Sequence, residues 1–161
     1  MGKILAVAFT VAVLSATPAL ALALALDVTT TATVAATPAA AWKIIGEFCG
    51  IGDWHTAVEK CVLSEKGGKK VRTLCLKGGG SIVEQEVPRD ERKMNYTYAI
   101  LESPLPVDGY KSILSVAPDG KGSKLTWTGS SKAKGATDAK AEEVVGGIYE
   151  GGLKGIFEKT K

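Results

Sequence analysis

The chain has 161 residues, 45% of them hydrophobic, with 20 Lys and Arg against 17 Asp and Glu for a formal charge of +3. That length supports one domain with a real core, and so small a positive excess does not suggest nucleic-acid binding. Three scattered cysteines and the lone His55 lack metal-ligand spacing, so no metal or other cofactor is expected.

The first 26 residues read as a cleaved signal peptide: Lys3, an uncharged run from Ile4 to Leu14, Pro18, then a ladder of Ala-x-Ala sites between Ala19 and Ala25. Cleavage leaves about 135 residues, from Asp27, as a soluble periplasmic or secreted domain with no stable membrane insertion. Export permits a disulfide, and at most one intramolecular pair can form among Cys49, Cys61 and Cys75. Cys61 with Cys75 across a hairpin, Cys49 with Cys61, and three reduced thiols all remain open.

Asp27 to Val34 is rich in β-branched residues and predicts a first strand. Thr37-Pro38 then has the N-cap and first-turn proline of a helix, which carries Ala41, Trp42, Ile44, Ile45 and Phe48 to the glycines Gly50 and Gly52. A compact segment, Gly50 to His55, leads to the next strand. From Val58 to Trp127 the chain reads as an antiparallel meander, with turns at Gly67-Gly68, Gly78-Gly79-Gly80 and Gly120-Lys121-Gly122. Lys66, Lys69 and Lys70 fit a solvated hairpin tip there. Alternation sorts one face of each strand: Arg72, Leu74 and Leu76; Ile82, Glu84 and Glu86; Met94, Tyr96, Tyr98 and Ile100; Tyr110, Ser112, Leu114 and Val116; Leu125 and Trp127.

A long helix from about Asp138 to Lys159 ends the chain, acidic near its start and basic near its end. Its apolar stripe is Ala141, Val145, Ile148, Gly152 and Ile156, bordered by Val144 and Tyr149. Five glycines weaken it, so tertiary packing must hold it, and glycine on the stripe either brings the helix close to the sheet or leaves volume beneath it. The whole is an α+β arrangement, a curved sheet around one helix, in which an internal apolar cavity is expected.

Trp42-Lys-Ile-Ile-Gly-Glu-Phe48, Trp54-His-Thr-Ala-Val58, Arg72-Thr-Leu74, Gly80-Ser-Ile-Val-Glu84, Asp90-Glu-Arg92, Tyr96-Thr-Tyr98, Leu105-Pro-Val107 and Tyr110 together resemble the START-like SRPBCC superfamily, in its polyketide cyclase/dehydrase branch. The resemblance spans the mature chain. It implies a helix-grip fold with two short helices between strands 1 and 2, and a pocket for an apolar small molecule. More distantly the chain is similar to plant abscisic-acid receptors and to the birch pollen allergen fold. By that likeness Gly78, Gly79 and Gly80 lie at a gate loop and Leu105 and Pro106 at a latch, while Glu84, Tyr98, Ile100, Val107, Tyr110, Ser112 and Trp127 fall on pocket positions. Ile148 and Gly152 of the last helix would complete the wall.

Glu84, if buried, has the raised pKa of a general base or ligand acceptor; otherwise it is a structural carboxylate bonded to Tyr98 or Tyr110. Arg72 facing Glu84 or Glu86 reads as an ion pair across strands. His55, beside Trp54, suits packing or capping, and any histidine-dependent chemistry would have to use it. The expected function is binding of a hydrophobic or amphipathic, lipid- or polyketide-like molecule. The alternatives are a cyclase/dehydratase-type enzyme using Glu84, and an accessory protein with a periplasmic dehydrogenase as partner.

Overall fold

A computed structural model describes residues 25–161. The leader lies outside the described residues, apart from its last two positions. Leu26, taken above as part of it, opens the first strand and is buried against the core.

The elements run β1 (Leu26–Val34), α1 (Pro38–Ile45), α2 (Ile51–Trp54), β2 (Val58–Lys66), β3 (Lys69–Leu76), β4 (Ser81–Asp90), β5 (Asn95–Glu102), β6 (Val107–Asp119), β7 (Gly122–Ala133) and α3 (Asp138–Lys159). The seven strands form one sheet in the order β1-β7-β6-β5-β4-β3-β2, every neighbouring pair antiparallel. This is the helix-grip fold, with both short helices between β1 and β2 and the long helix on the concave face.

Local chemistry sets the ends of the elements. Thr37 and Thr137 cap α1 and α3, each accepting the backbone N–H three residues on through its side-chain oxygen. Gly67 and Gly68, at φ 59° and 73°, supply the two left-handed residues that a tight β2–β3 hairpin needs. Met94 departs from the expected alternation: it lies in the β4–β5 turn at φ 49°, and β5 starts one residue later.

The hairpin register decides among the cysteines. Cys61 pairs with Leu74 and Cys75 with Lys60, so Cys61 and Cys75 are one position out of step and point to opposite faces. Cys61 is instead bonded to Cys49, and Cys75 is a free, half-buried thiol. The disulfide ties the segment leading into α2 to the edge strand β2.

α3 does not lie across the middle of the sheet. It packs mainly on β1 and β7 and against the two short helices, while over β3 and β5 it is Trp42 of α1 and Phe48 just after it that meet Tyr96 and Arg72. The inward face of those strands is Arg72 and Leu74, Ile82 and Glu84, Tyr96 and Tyr98, all buried. Among the described residues no helix is long and apolar enough to cross a membrane.

Candidate functional site

Where α3 fails to cover the sheet, an internal cavity of about 130 Å³ remains. The strands contribute Leu74 and Leu76, Ile82 and Glu84, Tyr98 and Ile100, Tyr110 and Trp127 to its wall. Ile51, His55, Ala57 and Val58 close it from the α2 side, Leu105 from the β5–β6 loop, and Ile148 from α3. Most of these groups are hydrocarbon, so water inside would find few partners.

Glu84 is the one carboxylate in the wall. It sits directly across from Arg72 in the β3–β4 register, and its Oε2 accepts the Arg72 Nε–H at 2.6 Å. Its partner is thus Arg72, not Tyr98 or Tyr110. Burial pushes the Glu84 pKa up, and the guanidinium pulls it back. For Arg72, burial opposes the charge, yet the Glu84 carboxylate, with smaller contributions from Tyr96 and Tyr98, holds the pKa above the usual range. The 2.6 Å contact has the geometry of an ion pair, with Arg72 also donating to the Phe48 carbonyl and lying 4.2 Å from the Phe48 ring centroid and 4.9 Å from that of Tyr98. Glu86, the other candidate, turns to Arg89 at 2.9 Å.

Beneath the cavity lies a polar cluster. Trp127 Nε1 donates to Tyr98 Oη at 2.9 Å and to Ser112 Oγ at 3.0 Å. Tyr149 Oη is 2.5 Å from Tyr110 Oη and 3.1 Å from Ser112 Oγ, while its ring stacks on Trp127 at 4.7 Å. Burial raises the pKa of all three tyrosines, those of Tyr98 and Tyr110 well above 10.0, so they are protonated hydrogen-bonding groups.

His55 bridges the α2–β2 junction to α3. Its Nδ1 accepts the Ala57 N–H at 3.2 Å, which puts the ring proton on Nε2, 3.1 Å from the Ile148 carbonyl. Burial lowers its pKa, the Ile148 bond opposes this, and Arg72 adds to the lowering. The ring is neutral.

Of the residues singled out from the sequence, Glu84, Tyr98, Ile100, Tyr110, Trp127, Ile148 and Leu105 meet at the cavity. Val107, Ser112 and Gly152 do not line it. Val107 is buried at the start of β6, and Ser112 lies under the tyrosines. A Cβ on Gly152 would run into the Trp127 ring and approach His55 Cδ2 to 2.9 Å, so this glycine serves close packing and leaves no free volume. Gly78, Gly79, Gly80 and Pro106 stand outside the wall, in two loops that approach each other: a Cβ on Gly80 would be 4.0 Å from Pro104 Cγ.

Sequence reasoning did not place Ile51, Ala57 and Val58 in the wall, and it set Tyr149 only at the border of the helix stripe and not in the polar cluster. The first carries no periodic signal, because α2 is only four residues long. The second had one: Ala141, Val145, Tyr149 and Leu153 recur every four residues and are all buried.

A curved sheet gripping a helix beside an apolar internal cavity defines a START-like SRPBCC protein. The chain belongs to the polyketide cyclase/dehydrase and lipid transport family, whose profile matches residues 25–159. It is similar to the solved structure of the protein XoxI from Bacillus cereus, with 29% identity over 83% of this chain and 94% of that one, at a TM-score of 0.79. An uncharacterized protein from Bacillus thuringiensis is also 29% identical, over 83% and 98% of the two chains, at 0.78. The Zhui aromatase/cyclase from a Streptomyces species shares the fold at a TM-score of 0.69, with 19% identity over 84% of this chain and 93% of its own. A search of curated proteins found no match.

Proposed function

We propose that this is an exported binding protein that takes a small apolar molecule into the cavity under Ile148. The observation that carries the reading is the cavity: hydrocarbon on most sides, with the ion-paired Glu84 in one wall and a single side chain of α3, Ile148, reaching it. Size narrows the occupant. Ligand pockets usually enclose roughly 300–1,000 Å³, whereas a cavity of about 150 Å³ accepts benzene. At about 130 Å³ the closed form suits a single small ring, and a lipid- or polyketide-sized molecule requires the 77–80 and 103–106 loops to part. Export is supported by the order of Lys3, the apolar run and the Ala-x-Ala ladder, and by a disulfide that an oxidising compartment would maintain.

Benzene added to the full chain is expected to shift the methyl resonances of Ile82, Ile100 and Ile148, and Ile148→Phe, which fills the space, to abolish the shift. Unmoved methyls in the wild type would end the reading. N-terminal sequencing of the protein recovered outside the cytoplasm tests export, with a start between residues 22 and 27 expected.

A further inference from the structure

The polar cluster under the cavity has a fixed direction. Ser112 Oγ has one proton and gives it to the Thr128 carbonyl at 2.8 Å, an oxygen that can only accept. Ser112 therefore accepts from Tyr149, 3.1 Å away. Tyr149, its proton committed, must accept from Tyr110 at 2.5 Å. Tyr110 in turn has no proton left for Tyr98, so across the 3.4 Å between their oxygens Tyr98 is the donor. Trp127 Nε1 also donates to Tyr98 Oη at 2.9 Å, which uses one of its lone pairs and leaves its proton to the Tyr110 side. Four of the five donors are thus in bonds of 3.1 Å or less, and Tyr98 alone holds its proton in a long, weak one. Tyr98 lines the cavity.

The same wall offers an acceptor. Glu84 uses Oε2 on Arg72, while Oε1 has no hydrogen-bond partner among the described residues and is not among the fully enclosed polar atoms. Glu84 pairs with Ile100 in the β4–β5 register, so Tyr98, two residues before Ile100, is its diagonal neighbour on the inward face. Such neighbours stand roughly 7–8 Å apart at their backbones, a gap that long side chains narrow.

We propose that the cavity selects a small ring bearing one hydroxyl, of the size of phenol, whose oxygen accepts the Tyr98 proton and whose own proton goes to Glu84 Oε1. The proposal rests on the binding function above. It makes Tyr98 the residue that separates a hydroxylated ring from a hydrocarbon of the same shape, since the hydrocarbon leaves both polar atoms as they were.

Phenol and toluene, matched in shape, test this when titrated into the full chain and into Tyr98→Phe, with the cavity methyl resonances as readout. Phenol is expected to bind the wild type about tenfold more tightly than toluene. Tyr98→Phe should bring that ratio to about one or below while leaving toluene affinity within about threefold. Toluene binding as tightly as phenol to the wild type would overturn the hydroxyl selection and leave the binding function standing, and this comparison needs no variant. A ratio unchanged in Tyr98→Phe would overturn the role of Tyr98. If neither molecule moves the methyls, the binding function falls and the selection with it.

Discussion

The space between sheet and α3 is solid at one side and hollow at the other, although one helix and one sheet bound both. Over β7, Tyr149 stacks on Trp127 with their planes 12° apart, Gly129 leaves room for the Tyr149 hydroxyl, and Gly152 lets the helix come down on Trp127 and His55. Further along α3, Gly155 lies against the Trp54 carbonyl. Over β3 to β5 only Ile148 reaches from the helix to the wall, and loops and short helices supply the rest. The glycines of α3 therefore do not hollow the molecule. They let the helix dock close to one side of the sheet, and the other side is left to Ile148, the α2 segment and the loops.

The largest expected effect lies in the hollow half. Arg72→Leu leaves the Glu84 carboxylate in the wall without its counter-charge, and should cost about 3–5 kcal/mol in denaturant unfolding. Arg72→Leu combined with Glu84→Leu should recover most of that loss. A cost under about 1 kcal/mol for the single variant would mean that the carboxylate is not held there as an ion.

In the solid half, Gly155→Ala sets a methyl into the backbone carbonyl of Trp54, which has no rotamer to escape through. A net loss of about 1–3 kcal/mol is expected, despite alanine's better helix propensity. An unfolding midpoint equal to the wild type's would mean that helix and α2 are not in close contact.

His55 joins the two halves, and its charge reports on the junction. Burial first, then the positive charge of Arg72, lowers its pKa from the ordinary 6.5, so between those values the unfolded chain binds a proton that the folded one refuses. Stability from this residue is complete above about pH 6.5 and is lost as the pH falls below it, with a slope of at most about 1.4 kcal/mol per pH unit. His55→Gln should flatten that part of the stability curve. A wild-type curve with the same slope as the variant would show a histidine that titrates freely.

Much of this was legible in the sequence, because period and capping are local signals. The limits of α3, the Thr37 cap and the sorting of β3 to β7 into two faces follow from residues near one another in the chain, though not which face turns inward. Strand parity narrowed the partner of Arg72 to Glu84 or Glu86, which share a face, and only the β3–β4 register chose Glu84. What the sequence hid depends on placement in space. Parity puts Ser112 on the inward face, yet its hydroxyl is taken up by Trp127, Tyr149 and the Thr128 carbonyl and it does not reach the cavity wall. The stripe puts Gly152 toward the sheet, but whether a glycine opens or closes a gap depends on the aromatic ring opposite. The cysteine pairing turned on a register offset of one residue.

The smallest effect offers the cleanest comparison, because it stays within α3. Gly147 is exposed and a Cβ there would meet nothing within 4 Å, whereas on Gly151 it would come 3.2 Å from Thr56 Oγ1, and on Gly155 it would strike backbone. Helix propensity favours alanine by about 1 kcal/mol at each position, so the surroundings alone should separate the three variants. Gly147→Ala should stabilise by nearly that full amount, Gly151→Ala should be close to neutral as Thr56 yields, and Gly155→Ala should lose. Unfolding midpoints rising for 147, level for 151 and falling for 155 would trace the approach of the helix to α2 along its own axis. A gain at 155 equal to that at 147 would mean that the helix stands off the short helices, and the division into a solid and a hollow half would have to be redrawn.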